Sequence, residues 1–215
     1  SSILAVVKAG DHVLVADCVY YPARLFCDRD LKRFGVEVEY YDPYIEDIGA
    51  LIRDNTALIV MESPGSGIFE IQDVPAIAKT AQEHNVLTLI DSTWSTPLNF
   101  NPIDYGVNIV VHSATKYIVG HSDVSMGVAV CDSPYTYKRV KYQAVGLGYC
   151  CSGDDLYLAL RSLRTMKLRL QQSAKSALEI AEYLESRDDV AHVYHPALPS
   201  HPRHKIWKRD YKGSN

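Results

Sequence analysis

The sequence predicts an α/β protein built on a mostly parallel sheet with helices covering both faces. Short apolar runs of strand length recur at residues 12–16, 57–61, 86–90, 108–112 and 127–131. Between them lie segments whose apolar residues fall at helical spacing, many closed by glycine or opened by a capping residue. Runs that are apolar at nearly every position suit strands buried on both faces, as parallel strands with crossover connections are.

Each element follows from local chemistry. Residues 2–10 read as the last turns of a helix stopped by Gly10, and His12-Val-Leu-Val-Ala16 as a buried strand. Residues 21–34 carry apolar groups at helical spacing up to Gly35, and residues 36–40 alternate as a strand. A short helix is expected over 47–53, then the strand 57–61. Asp73 is a capping residue, and Pro75 in the first turn marks the start of a helix that runs to His84. The strands 86–90, 108–112 and 127–131 complete the alternation. After Gly153 the pattern changes to two long helices, 154–169 and 171–186, followed by a short strand at 191–194 and a loop-like tail to Asn215. The expected organisation is a large unit over residues 1–153 and the start of a smaller α/β unit over 154–215.

Composition narrows the function. The chain has 215 residues, 47% hydrophobic and 22% charged, with 22 Lys and Arg against 26 Asp and Glu and a net charge of -4. No basic excess exists to neutralise a phosphate backbone or an anionic membrane surface, so no nucleic-acid or membrane partner is expected. No apolar run approaches the roughly 18 residues of a membrane helix, and the first residues lack the basic region of a signal peptide. A cytoplasmic location is expected. The five cysteines are odd in number and show no Cys-x-x-Cys spacing, which predicts reduced thiols, with Cys150 and Cys151 as small buried packing residues.

In open parallel sheets, sites form beyond the carboxyl ends of the strands. Four exits carry chemistry: Asp17-Cys-Val-Tyr20, Glu62-Ser-Pro-Gly-Ser-Gly67, Asp91-Ser-Thr-Trp94 and His112-Ser-Ala-Thr-Lys-Tyr117. A carboxylate at the end of a buried strand, Asp91, calls for a cationic partner. Ser113-Ala-Thr-Lys116 offers two hydroxyls for an anion and an amine for a carbonyl. That combination suits pyridoxal phosphate, with the acid on the ring nitrogen, hydroxyls on the phosphate and the lysine on the aldehyde. Taken singly the residues are ordinary: Asp91 a loop anchor, Lys116 a solvated amine, Tyr20 a packing residue, Glu62 a partner for loop amides. Gly65-Ser-Gly67 lacks the third glycine of a dinucleotide fingerprint. The histidines at 192, 195, 201 and 204 lack regular ligand spacing, so no metal is expected.

Asp91-Ser-Thr-Trp94 followed by Val111-His-Ser-Ala-Thr-Lys-Tyr-Ile-Val-Gly-His-Ser-Asp123 resembles the signature of the Cys/Met-metabolism pyridoxal-phosphate enzymes. Lys8-Ala-Gly-Asp-His12, Glu62-Ser-Pro64, Ser162-Leu-Arg-Thr165 and Trp207-Lys-Arg-Asp-Tyr-Lys-Gly213 extend the resemblance over the whole chain. Ser63 to Ser66, Trp94 and residues 193–199 are most similar to the cystathionine β-lyase branch.

The resemblance implies fold type I, with a seven-stranded type of sheet, a cofactor domain over 1–153 and a C-terminal domain beginning in 154–215. It implies pyridoxal 5'-phosphate as cofactor. Lys116 matches the Schiff-base lysine and general base, Asp91 the partner of the ring nitrogen, and Tyr20 the tyrosine stacked on the ring. Ser113, Thr115 and Thr93 match residues around the cofactor, and Ser66 stands where many relatives have asparagine. The implied reaction is β-elimination from cystathionine, giving homocysteine, pyruvate and ammonia, in a homotetramer built as a dimer of dimers. γ-Lyase and γ-synthase chemistry use the same core residues. The family's neighbouring-subunit phosphate ligands and its substrate-carboxylate arginine match no residue here. The chain is therefore expected to be the middle of a longer enzyme, and an inert cofactor-domain fragment is the alternative.

Overall fold

The computed structural model describes residues 1–215. Its six strands are β1 (His12–Ala16), β2 (Glu37–Tyr41), β3 (Thr56–Glu62), β4 (Leu87–Asp91), β5 (Ile109–Ser113) and β6 (Gly127–Cys131). They form one sheet in the order β2-β1-β3-β4-β5-β6, parallel throughout except for the antiparallel β5–β6 pair at one edge. All six strand readings hold to within two residues at either end. The sheet has six strands of the seven-stranded type that the resemblance implies, and the separate short strand expected at 191–194 does not form.

β1, β3, the middle of β4 and the start of β5 are buried, which is why these stretches are largely apolar. Leu14, Leu58, Ile59, Met61, Ile90 and Ile109 are fully buried at the centre of the main core. The helix expected over 21–34 is α1 (Tyr21–Phe26) continued by one wider π-type turn, Cys27–Leu31, and ended by Gly35 at φ +75°. α2 (Val74–Glu83) starts as expected: Asp73 accepts the amide of Ala76 at 3.2 Å. The segment 47–53 makes only a single 3-10 turn, Ile48–Leu51, capped by Asp47 and weakened by Gly49 in its middle. Residues 1–7 make isolated helical bonds, Ala5 N–H to Ser1 O and Val7 N–H to Ile3 O, without a regular helix.

Two short helical segments, α3 (Thr96–Asn99) and the turn Pro102–Tyr105, connect β4 to β5. α4 (Pro134–Gly146) was not foreseen, although its signal is local: Ser133 and Thr136 form a reciprocal capping box and Pro134 occupies the first turn. The two helices expected over 154–186 are one, α5 (Gly153–Glu185), 33 residues long. Nothing at the anticipated break interrupts the ladder, since Leu170, Gln171 and Gln172 are good helix formers and Leu170 is buried. No helix is long and apolar enough to cross a membrane.

The tail is not a plain loop. It contains α6 (His204–Asp210), held by an ion pair between Arg209 and Asp73 at 2.7 Å. Tyr211 then enters the core, stacks on Phe100 with ring centroids 4.4 Å apart, and donates its hydroxyl to Ser63 O at 3.0 Å. A solvated-loop reading failed here because isolated apolar residues such as Tyr211 find their partners only after the chain has folded back. Cys150 and Cys151, expected inside, are exposed in the connection between α4 and α5, which carries them off the core.

The buried Tyr211 hydroxyl also meets Ser63 Oγ at 2.9 Å. Tyr211→Phe therefore removes the shorter of two hydrogen bonds to Ser63 O, leaving only the Ser95 hydroxyl at 3.4 Å, and is expected to lower stability by about 1–2 kcal/mol, measured by urea unfolding. An unchanged urea midpoint would show that the contact contributes nothing.

Candidate active site

Parallel register brings the exits of β1, β3, β4 and β5 to one edge of the sheet. Glu62 is paired with Asp91 across β3 and β4, and Asp91 with Val111 across β4 and β5. Register partners in a parallel sheet send their side chains to the same face. The two carboxylates thus stand side by side on one surface, above an apolar cavity of about 320 Å³ that both line with Met61, Leu89 and Val111.

Asp91 is half-buried; its Oδ1 accepts the amide of Thr93 at 2.9 Å, and it forms no ion pair. Thr93 Oγ1 in turn accepts the amide of Ser113 at 2.7 Å, which ties the β4 exit to the β5 exit. The Ser113 hydroxyl has no partner within the chain. The Thr115 hydroxyl is engaged on both sides by Met126: it accepts that residue's amide at 2.9 Å and donates to its carbonyl at 3.2 Å. Its placement braces the turn that follows β5.

Lys116 lies in that turn, its amide donating to Ser113 O at 3.0 Å. The side chain is exposed, forms no ion pair, and lines a broad open cleft of about 1140 Å³ with Thr115, Asp123 and Arg169. Arg169 on α5 secures the turn from behind, donating to Tyr117 O at 2.9 Å and to Ser162 O at 3.0 Å. Gly120, at φ +75°, is required here because a Cβ would collide with the Arg169 guanidinium. Arg169 had no sequence signal beyond its place on a long helix.

Tyr20 precedes α1 and is 53% exposed, so it is not a core packing residue. Its amide donates to Glu62 Oε2 at 2.7 Å, while Ser66 donates its hydroxyl to Glu62 Oε1. Glu62, read as a partner of loop amides, is that and more: one carboxyl group holds two of the candidate residues. Hydrogen bonds and register therefore join Tyr20, Ser66, Asp91, Thr93 and Ser113. Thr115 and Lys116 follow in the next turn and face the adjoining cleft.

Burial pushes the Glu62 carboxyl up from its ordinary 4.5 to about 7, against the opposing pull of Ser66 and the Tyr20 amide. Burial likewise holds the His112 imidazole below its ordinary value, with its Nδ1 3.1 Å from Ser92 O. The tail histidines go elsewhere. His195 Nδ1 accepts the amide of Ala197 and His201 Nδ1 that of Arg203, both at 3.2 Å, and no group of three or more His, Cys, Asp or Glu is placed to hold a metal ion.

A carboxyl whose folded value lies above its unfolded one keeps a proton that the unfolded chain releases. Stability from Glu62 is therefore present below pH 4.5 and lost as pH rises to about 7. Glu62→Gln cannot ionise, so its stability relative to the unsubstituted protein is expected to rise by up to about 3 kcal/mol between pH 4.5 and pH 7.5. Urea midpoints of both proteins at several pH values measure this, and a pH-independent difference would contradict it.

A sequence model of the family described as Cys/Met metabolism PLP-dependent enzyme matches residues 1–215. The chain is 42% identical over 214 residues to the L-alanine/L-glutamate racemase of Wolbachia pipientis wMel, covering 100% of this chain and 53% of the relative. It is 41% identical over 212 residues to the cystathionine beta-lyase of Bordetella avium, covering 99% of this chain and 53% of the relative. The crystal structure of cystathionine gamma-lyase from Lactobacillus plantarum complexed with L-serine superposes with a TM-score of 0.96 at 33% identity, covering 100% of this chain and 56% of that one. The chain thus spans about half the length of the curated relatives it matches.

Proposed function

The chain belongs to the Cys/Met-metabolism pyridoxal-phosphate enzymes, and from that premise we propose that the protein is a carbon–sulfur lyase that cleaves cystathionine, with one water, to homocysteine, pyruvate and ammonia. The observation that carries the reading is Asp91: a half-buried carboxylate at the mouth of an apolar cavity, without an ion pair and one strand away from Ser113. The β-lyase from Bordetella avium supports the choice of bond.

The residues present fit the cofactor. Asp91 Oδ2 has no partner and suits a protonated ring nitrogen. Tyr20 offers an uncovered aromatic face, and Ser113 an unengaged hydroxyl for phosphate. Thr93 Oγ1 accepts from Ser113 and keeps its proton to donate. Ser66, held by Glu62, lies at the rim near the ring's hydroxyl in this reading. Thr115 acts through the turn it braces.

When bound, pyridoxal phosphate supplies an electron-withdrawing ring that draws charge from the substrate α-carbon. Asp91 holds the ring-nitrogen proton in place, because a carboxylate stabilises an N–H charge that an amide does not. Lys116 Nζ would hold the aldehyde of the group. As a free amine, Lys116 Nζ would take the substrate α-proton and pass it to the departing sulfur. Tyr20 orients the ring against the sheet edge. In this reading residues 1–153 form the cofactor domain and residues 154–215 connect it to a second one, in a cytoplasmic homotetramer of paired dimers. Leu156, Tyr157, Leu160, Leu163 and Leu168, exposed along α5, support burial of that helix against a further surface.

A second reading, proton exchange at the α-carbon of alanine or glutamate, rests on the Wolbachia relative and uses the same Lys116. Incubation of the purified protein with cofactor and, in separate samples, cystathionine or L-alanine decides between them. Pyruvate with homocysteine supports β-cleavage, cysteine with 2-oxobutyrate moves the reading to γ-cleavage, and D-alanine from L-alanine without either moves it to racemisation. Absence of all three would sink the enzyme reading for this chain.

Lys116→Ala is expected to lose borohydride-fixable cofactor and to lower turnover roughly 10²–10⁴-fold. Peptide mapping that finds the cofactor fixed to another lysine would remove Lys116 from this role. Asp91→Asn is expected to lower turnover about a hundredfold while changing cofactor affinity less. Steady-state kinetics beside a cofactor titration measure both, and near-normal turnover would reassign Asp91 as a loop anchor alone.

A further inference from the structure

Glu62 has no assigned part in the proposed chemistry, yet its placement is costly. A buried acid sits in register with a second carboxylate on the neighbouring strand, on the same face and above apolar side chains. A core position of this kind favours an apolar or neutral residue unless the acid satisfies groups that nothing else can reach. Both oxygens of Glu62 are used. Oε2 accepts the Tyr20 amide at 2.7 Å, and Oε1 pairs with the Ser66 hydroxyl. Its own carbonyl is also occupied, accepting Gln72 Nε2 at 2.7 Å, so the residue is tethered at main chain and side chain alike.

Tyr20 depends on this bond more than its neighbours do. It is the residue before α1, its side chain caps nothing, and its ring lies half in solvent with no stacking partner within the chain. The position of the ring is therefore set by the backbone at Tyr20, and Glu62 fixes that backbone to the end of β3. Ser66 is joined to the same carboxyl and also to the Tyr20 loop through its amide, which donates to Cys18 O at 3.0 Å. Two loops from two strands are thus closed around one acid, beside Asp91.

We infer that Glu62 is a positioning residue that holds Tyr20 and Ser66 in register with Asp91, so that the aromatic face and the ring-nitrogen partner address one cofactor. The inference rests on the cofactor reading above for what Tyr20 does, and on geometry alone for what Glu62 does. The neutral acid serves as well as the anion, because its carbonyl oxygen accepts from Tyr20 and its hydroxyl can pair with Ser66. Glutamine reproduces that pattern with a carboxamide oxygen and NH₂.

The test compares Glu62→Ala and Glu62→Gln in the purified protein. In the cofactor-free state, hydrogen exchange of the Tyr20 amide is expected to accelerate about tenfold or more in Glu62→Ala and to stay within about threefold in Glu62→Gln. The dissociation constant for pyridoxal phosphate is expected to rise about tenfold in Glu62→Ala and to be restored by glutamine. In a Tyr20→Ala, Ser66→Ala background, Glu62→Ala is expected to add no further loss of cofactor affinity, as a residue acting through those two side chains must. Unchanged Tyr20 exchange in Glu62→Ala would overturn the inference, as would a full additional loss in the doubly substituted background. If Glu62→Ala does not fold, Glu62→Asp, one methylene too short to reach both loops, takes its place with the same expectations. Failure of the unsubstituted protein to bind the cofactor would remove the proposed function, while the exchange measurement would still decide what Glu62 holds.

Discussion

Parallel pairing of β1, β3, β4 and β5 is the constraint on which the rest of the molecule depends. A parallel ladder sends every chain out at the same edge, so each strand end opens onto the mouth of its neighbour. Tyr20, Ser66, Asp91 and Ser113 come from four different exits and span nearly a hundred residues of sequence, yet they are joined by single hydrogen bonds or one register step. The antiparallel β6 contributes differently: it returns the chain so that Met126 can grip Thr115 from both sides and shape the turn that carries Lys116.

The edge so formed is electrostatically unbalanced. Glu62 and Asp91 are adjacent acids, and neither is answered by a lysine or arginine of this chain. The two are handled in opposite ways. Glu62 is buried, keeps its proton to about neutral pH and spends both oxygens on loops. Asp91 stays partly open, with one oxygen on the Thr93 amide and one free. An acid left with an unused oxygen at a cavity mouth is suited to a cationic guest; an acid with both oxygens engaged is suited to holding a scaffold. That division sets Asp91, proposed to bind, apart from Glu62, proposed to position.

Support for the edge comes from distant parts of the chain. Tyr211, near the C-terminal end of the tail, bonds to Ser63 in the loop that leads to Ser66, and Arg209 bonds to the cap of α2. Arg169, deep in α5, holds the carbonyl after Lys116. Tyr211 and Arg169 therefore act on this edge through main-chain carbonyls, and Arg209 acts through the Asp73 side chain. These contacts were invisible in the sequence because a lone arginine on a helix or a lone tyrosine in a polar tail has no period to betray it. The continuity of α5 was missed for a related reason: its apolar stripe weakens near residue 170, but an uninterrupted ladder needs only the absence of glycine and proline. Residues 191–194 alternate as a strand should, but a strand exists only where a ladder partner exists, and none is within reach.

Local patterning was enough to place the six strands, the cap at Asp73, the glycine stop at Gly35, the alternation that makes a parallel α/β sheet, and the strand-end residues that line the candidate site. These depend on patterns of two to four residues and on the burial of runs, which are local properties of the chain. Long-range packing was needed to make Glu62 and Asp91 neighbours, to engage the Thr115 hydroxyl while leaving that of Ser113 free, and to bring Tyr211 and Arg169 against the edge. Those depend on register and on which loops meet, and register is set by the collective packing of strands far apart in sequence.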